Sequence, residues 1–278
     1  MATEGGAARM TALRARVAAP PPMPPAPARA RVGVLVLLLT LGALAYSAWT
    51  LEALLPTGLS PTRAYVSELA AANQPYGTFF RTMDLVAGLL VGAAGVGGLR
   101  RRPRLPWPRA RWGAAGWSGL ALFGLATALD SRLPLSCAPT ADAGCAERER
   151  AGLVPVTHSA HLVTSSTAMC GALVAVVALT VALRMNRAGV TRSSVTGSGV
   201  TGSGVTRSGL LVHAGTALMA AELAATVWTL TAIAAFGAGH GSWGLGIAQR
   251  LQVAFLAVWL LVLAAAILRR PRSLMSAP

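Results

Sequence analysis

Six long apolar runs recur along the chain, separated by gaps that carry arginine, glycine or proline. They lie at Gly33–Leu54, Phe79–Leu99, Gly113–Asp130, Leu153–Leu183, Leu210–Phe236 and Trp243–Leu268. Each is close to or above the ~20 residues an α-helix needs to cross a bilayer. The runs do not alternate as membrane-barrel strands do, and such strands cross in only ~9–11 residues. Ala, Leu and Gly dominate them, with β-branched residues in the minority. The pattern predicts an all-α fold, a polytopic membrane bundle of six transmembrane helices. The fourth run is longer than a bilayer requires and opens on the polar stretch HSAHLVTSS, His158 to Ser166. Its first turns are therefore expected to tilt or to project from the membrane.

Composition supports that class. Of 278 residues, 54% are hydrophobic and only 12% charged, about half the charged share of an ordinary soluble domain. Mean hydropathy is +0.57. The net charge of +15 raises the question of nucleic-acid binding. The arginines, however, gather in the gaps between apolar runs and are not interleaved with aromatic residues on one face, so no nucleic-acid partner is expected. They read instead as orientation signals. The amino-terminal segment, the loop RRRPRLPWPRAR, the gap between the fourth and fifth runs and the carboxy-terminal tail are all arginine-rich. With six spans these fall on one side. Both termini are thus predicted to be cytoplasmic, in a multi-pass protein of a bacterial plasma membrane.

Residues 1–32 are rich in Pro, Ala and Arg and are expected to be disordered. A basic start followed by GALAYSA resembles a cleavable signal. Five further spans make a retained first helix the preferred reading. Between the fourth and fifth runs, VTRSSVTGSGVTGSGVTRSG repeats a Val-Thr pentad and reads as a flexible cytoplasmic linker over 186–208. Residues 269–278 form a short cytoplasmic tail.

The opposite face carries the chemistry. The loop between the third and fourth runs, DSRLPLSCAPTADAGCAERERAG, holds Cys137 and Cys145. In an oxidising compartment, two cysteines separated by a Pro- and Gly-containing turn are expected to form a disulfide. A zinc pair would need two further ligands, and no other cysteine is near. Cys170, within the fourth run, reads as a small buried apolar residue.

The order of several short motifs resembles the bacterial and archaeal membrane family known as "domain of unknown function 998". They are SELAA at Ser67–Ala71, FFRTMDLVAG opening the second run, Asp130 closing the third and LPLSCAP with its second cysteine. His158 and His161 at the next run and GLGIAQR in the last complete the set. The resemblance covers about Gly33 to Leu268, apart from the pentads. It implies a six-span protein without an established activity.

Candidate site residues come from the ionisable groups at the ends of the spans. His158, His161 and Ser165 share one helical stripe. Asp84 and Arg250 are expected at matching depth and are read as an ion pair, since an arginine in lipid needs a carboxylate. Asp130 lies one loop from the histidines. Glu222 is deeper, on a stripe with Thr226 and Thr229, and Ser67 and Glu68 are placed on a short interfacial helix above. Together they predict a cavity near the outer leaflet that binds a lipid, a small molecule or a membrane partner, with no cofactor. The alternative is a metal-assisted membrane hydrolase in which His158, His161 and Asp130 hold zinc. The arrangement is loosely similar to membrane hydrolases that include the alkaline ceramidases, but their late histidine pair has no counterpart here. No phosphate-binding loop, nucleophile elbow or HExxH motif is present. Oligomeric state is left open.

Overall fold

The computed structural model describes residues 26–101, 107–195 and 202–269, with backbone alone at 26–29, 187–195 and 202–208. Among these residues seven α-helices follow one another: α1 (Ala26–Tyr46), α2 (Gly77–Arg100), α3 (Arg109–Asp130), α4 (Ala143–Arg150), α5 (Val156–Val195), α6 (Gly202–Gly237) and α7 (Leu245–Leu268). All but α4 are long and apolar enough to span a membrane, and no strand occurs among the described residues. The protein is an all-helical, multi-pass membrane bundle.

Local chemistry sets the ends. α1 stops at Tyr46 and the chain tightens into a 3-10 turn over Ala48–Ala53, so the first span is not one continuous helix to Leu54. At the break the Ser47 hydroxyl donates to the Ala43 carbonyl at 2.9 Å, a bond that competes with regular helix at this point. α5 begins at Val156 and not at Leu153 because Pro155 has no N–H to donate and is accommodated only at a helix start. The short helix α4, which has no apolar run to announce it, is capped by Asp142, whose side chain accepts from Gly144 N at 2.9 Å. Just past its end, Gly152 turns the chain with a φ of 68°, which suits a residue without a Cβ.

The helix bounds overlap two segments read from the sequence as disordered or flexible. α1 takes in residues 26–32, part of the segment expected to be disordered, while residues 1–25 lie outside the described residues. α5 runs on to Val195 and α6 starts at Gly202, so helix extends into most of the segment read as a flexible linker. Only 196–201 of it falls outside the described residues, as does the tail from 270. Cys170 is exposed on the outer face of α5, not buried. A polarisable, largely apolar thiol is stable against lipid, so nothing forces it inward.

Small residues let the helices approach. A Cβ built on Gly124 of α3 would lie 2.2 Å from Gly92 N of α2, and one on Gly171 of α5 would lie 2.6 Å from Phe123 N of α3. α3 is thereby clasped on both sides at backbone contact, the small-residue packing that drives helix association where lipid removes the hydrophobic drive. The main core lies lower in the bundle, around Leu39, Leu120, Val176, Trp259 and Leu260. The Trp259 indole donates to Thr180 Oγ1 at 3.0 Å, which satisfies a buried N–H.

At the other end, residues 54–76 fold back over the bundle as a lid with its own small core of Leu59, Ala64, Leu69, Ala70, Phe80 and Ala138. Hydrogen bonds fasten it all round. Val66 N donates to Gln249 Oε1 at 2.6 Å, Gly246 N to Thr62 O at 3.1 Å and Ala72 N to Leu135 O at 2.8 Å. Arg81 donates to the Ala70 carbonyl at 2.7 Å.

Candidate binding cavity

Beneath the lid the six long helices part around a cavity of about 160 Å³. Its roof is Trp49 from the 3-10 turn after α1, and Val66, Ser67 and Leu69 from a second 3-10 turn in the lid, Val66–Ala70. Its walls are Tyr46 of α1, Phe80, Met83 and Asp84 of α2, and Phe123, Thr127 and Asp130 of α3. The far side is Ser165 and Met169 of α5, Glu222 of α6, and Gln249 and Gln252 of α7. Of the residues singled out from sequence, Asp84, Asp130, Ser165, Glu222 and Ser67 are brought together here. His158, His161, Arg250 and Glu68 are not among the lining residues.

The expected pair between Asp84 and Arg250 does not form. Arg250 instead grips Glu52 with both arms, Nε to Oε1 and Nη2 to Oε2 at 2.5 Å each, and its Nη1 donates to the carbonyls of Ala64 (2.8 Å) and Gly246 (3.0 Å). The 3-10 turn after α1 swings the Glu52 carboxylate across to α7, while Asp84 faces the cavity. Nε and Nη2 of this guanidinium thus tie α7 to the turn after α1, and Nη1 ties it to the lid at Ala64. Bidentate geometry of this kind is the strong form of a charged hydrogen bond.

The two histidines also part company. His158, 0% exposed, accepts from Ser136 N at 3.2 Å through Nδ1, and the Ser136 hydroxyl lies 2.9 Å from the same nitrogen. An accepting Nδ1 leaves the proton on Nε2, which points towards Glu149 at 3.8 Å. His161 Nδ1 lies 3.1 Å from both the Leu133 carbonyl and Asp130 Oδ1, and its Nε2 lies 3.2 Å from Ser165 Oγ. Both rings therefore brace the disulfide loop and the end of α3 against α5. Among the described residues no three His, Cys, Asp or Glu side chains converge as a metal-ligand set.

Ser165, His161 and Asp130 touch in the order of a nucleophile triad, hydroxyl to Nε2 and Nδ1 to carboxylate. Further contacts surround the serine. The Ser165 hydroxyl also sits 3.1 Å from each Asp130 oxygen, and Thr164 donates to the same carboxylate. The Ser165 hydroxyl is thus shared between the Asp130 carboxylate and His161 Nε2. The cluster ties α3 to α5 and holds one Asp130 face on the cavity.

Cys137 and Cys145 form a disulfide that closes the loop beside α4. That loop supplies Thr140, whose N–H donates to Glu68 Oε1 at 2.7 Å and whose hydroxyl donates to Glu68 Oε2. Glu68 is 0% exposed. Burial pushes its carboxyl above the ordinary carboxylate range, with the two Thr140 bonds pulling the other way. Burial likewise raises the Tyr65 hydroxyl.

The family model described as protein of unknown function (DUF998) matches residues 39–266. The chain belongs to this family. The matched segment takes in every cavity residue named above, the lid and the disulfide loop. No curated protein and no solved structure matches the chain.

Helical spacing in the sequence missed Tyr46, Trp49, Phe80, Phe123, Gln249 and Gln252, which line the cavity. The two glutamines were detectable in principle. They flank Arg250 in an apolar span, and intramembrane amides usually face the bundle interior.

Proposed function

We propose that this family member is a plasma-membrane protein, both termini cytoplasmic, whose cavity near the outer leaflet binds a lipid, a small molecule or a membrane partner. The observation that carries the reading is the cavity itself: polar groups from six helices meet around open space under a pinned lid. Packed cores are filled to crystal density, and a bundle that needed only stability would close such a gap. A concave site with a few convergent polar groups is the standard form of a ligand pocket. The hydrolytic alternative needs His158, His161 and Asp130 around one ion. The commitment of His158 to Ser136, away from Asp130, gives that alternative no support.

Native mass spectrometry of protein purified in mild detergent tests the proposal. Wild type is expected to carry a non-covalent species that is lost in Ala168→Leu, which fills the cavity from α5. An unchanged spectrum for the filled variant would remove the cavity as the binding site.

A further inference from the structure

The lining of the cavity is one-sided in charge. Asp84, Asp130 and Glu222 face it, and no Arg, Lys or His is among its lining residues. The cations that could have neutralised these acids are engaged elsewhere. Arg250 is bound to Glu52, and Arg81 to the lid carbonyls. Of the three acids, His161 reaches Asp130. Among the described residues, Asp84 and Glu222 have no ion-pair partner.

Glu222 supplies a second and independent observation. It is 2% exposed, Gln252 reaches one side of its carboxyl, and its Oε2 has no hydrogen-bond partner at all. A buried carboxyl oxygen left unsatisfied on a cavity wall within a membrane span is expensive, and such groups mark sites that something else completes. The Trp49 indole N–H, also buried without a partner, lies in the roof.

We infer that the cavity takes a small organic cation, an alkylammonium group either free or carried on a lipid. This rests on the cavity being a binding site and specifies the chemistry of its guest. An anion would meet three carboxylates and no cation. A neutral apolar guest would leave Asp84 and Glu222 unpaired. A divalent metal wants a tight shell of ligands, and no three acidic or imidazole groups converge. An ammonium with alkyl substituents has a diffuse charge that can be shared by separated carboxylates. It also suits the aromatic side chains of Tyr46, Trp49, Phe80 and Phe123 that line the same space. The size agrees: an apolar cavity of ~150 Å³ holds benzene, and 160 Å³ suits a head group such as trimethylammonium.

The test is a tryptophan-fluorescence titration of the full chain with tetramethylammonium or choline. Choline's uncharged isostere, with carbon in place of the nitrogen, serves as control. In phosphatidylglycerol nanodiscs the cations are expected to saturate the protein, with the isostere weaker by about tenfold or more. Asp84→Asn and Glu222→Gln, checked for folding by gel filtration, are expected to abolish that preference. In phosphatidylcholine nanodiscs, loss of free-cation binding assigns the site to the lipid head group, and retention assigns it to a free amine. Either result supports the inference. Equal binding of cation and isostere overturns the cationic guest and leaves the cavity as a site. Absence of any titration in both lipids, with a displaceable species still seen by mass spectrometry, also overturns the guest alone. Absence of both removes the cavity reading with it.

Discussion

A guanidinium on a membrane-spanning helix is tolerated only where its charge and its donors are all matched. Arg250 achieves this with one carboxylate and two carbonyls, and its removal or that of Glu52 strands the other charge in a buried setting. Glu52→Ala is expected to cost ~3–5 kcal/mol in equilibrium unfolding in detergent, whereas Glu52→Leu combined with Arg250→Met recovers much of that loss. Additive losses in the double variant would show that the pair holds the lid by something other than its charges. Glu68 gives a pH-dependent counterpart. Its folded-state carboxyl titrates above its ordinary value of 4.5, so the native protein holds this proton more tightly than the unfolded chain. Its contribution to stability is complete below that value and is lost as pH rises through the raised folded one. Thermal stability is therefore expected to fall across that window, and Glu68→Gln, which still accepts from Thr140 N, flattens the slope. A slope unaltered in the variant would place the titrating group elsewhere. That an intramembrane arginine needs an acid was legible in the sequence, but which acid was not. Depth along a helix can be counted from residue numbers, while direction around it is lost once the helix breaks at Ser47. Glu52 reaches Arg250 only because of that break.

At the scale of elements, the spans were legible because apolar length is a sufficient signal for a membrane helix. Their ends moved where a proline or an arginine-bearing turn intervened, as at Pro155 and Arg109. The helix α4 and the lid were opaque because neither is organised by apolar periodicity. One is a charged helix set by the Asp142 cap, the other a loop held by backbone bonds to distant helices. Helix contacts leave a sharper prediction. Gly124 and Gly92 face each other, yet their tolerance differs, because a Cβ on Gly124 meets Gly92 N at 2.2 Å while one on Gly92 has nothing nearer than 3.6 Å. Gly92→Ala is expected to be near neutral, and Gly124→Ala to destabilise by roughly 1–3 kcal/mol through forced separation of α2 and α3. Equal effects from the two, measured by the same unfolding assay, would mean that the α2–α3 approach is looser than this geometry.

The whole molecule is polarised, and the polarity makes a prediction about the membrane. Six spans put the lid, the disulfide loop and the 238–244 turn at one end, and the arginine-rich segments at the other. At the lid end, Arg132, Arg148 and Arg150 are answered by Asp142, Glu147 and Glu149. At the other end, Arg100, Arg101, Arg109, Arg111, Arg184 and Arg269 have no acidic neighbour in sequence. Because arginine near a span resists translocation, the second end is expected to stay inside. A disulfide at the first end is favoured by an oxidising compartment, which argues for the same expected orientation. In a Cys170→Ala background, Asn73→Cys and His240→Cys are expected to react with an impermeant maleimide on intact cells. Trp107→Cys and Arg269→Cys should react only after permeabilisation. A reversed pattern would keep the six spans but turn the cavity to the cytoplasm, where the disulfide would be reduced and the lid would lose its Thr140 anchor to a looser loop. Labelling of Trp107→Cys and His240→Cys from the same side would break the even count itself, since three spans, α3, α5 and α6, separate those two positions.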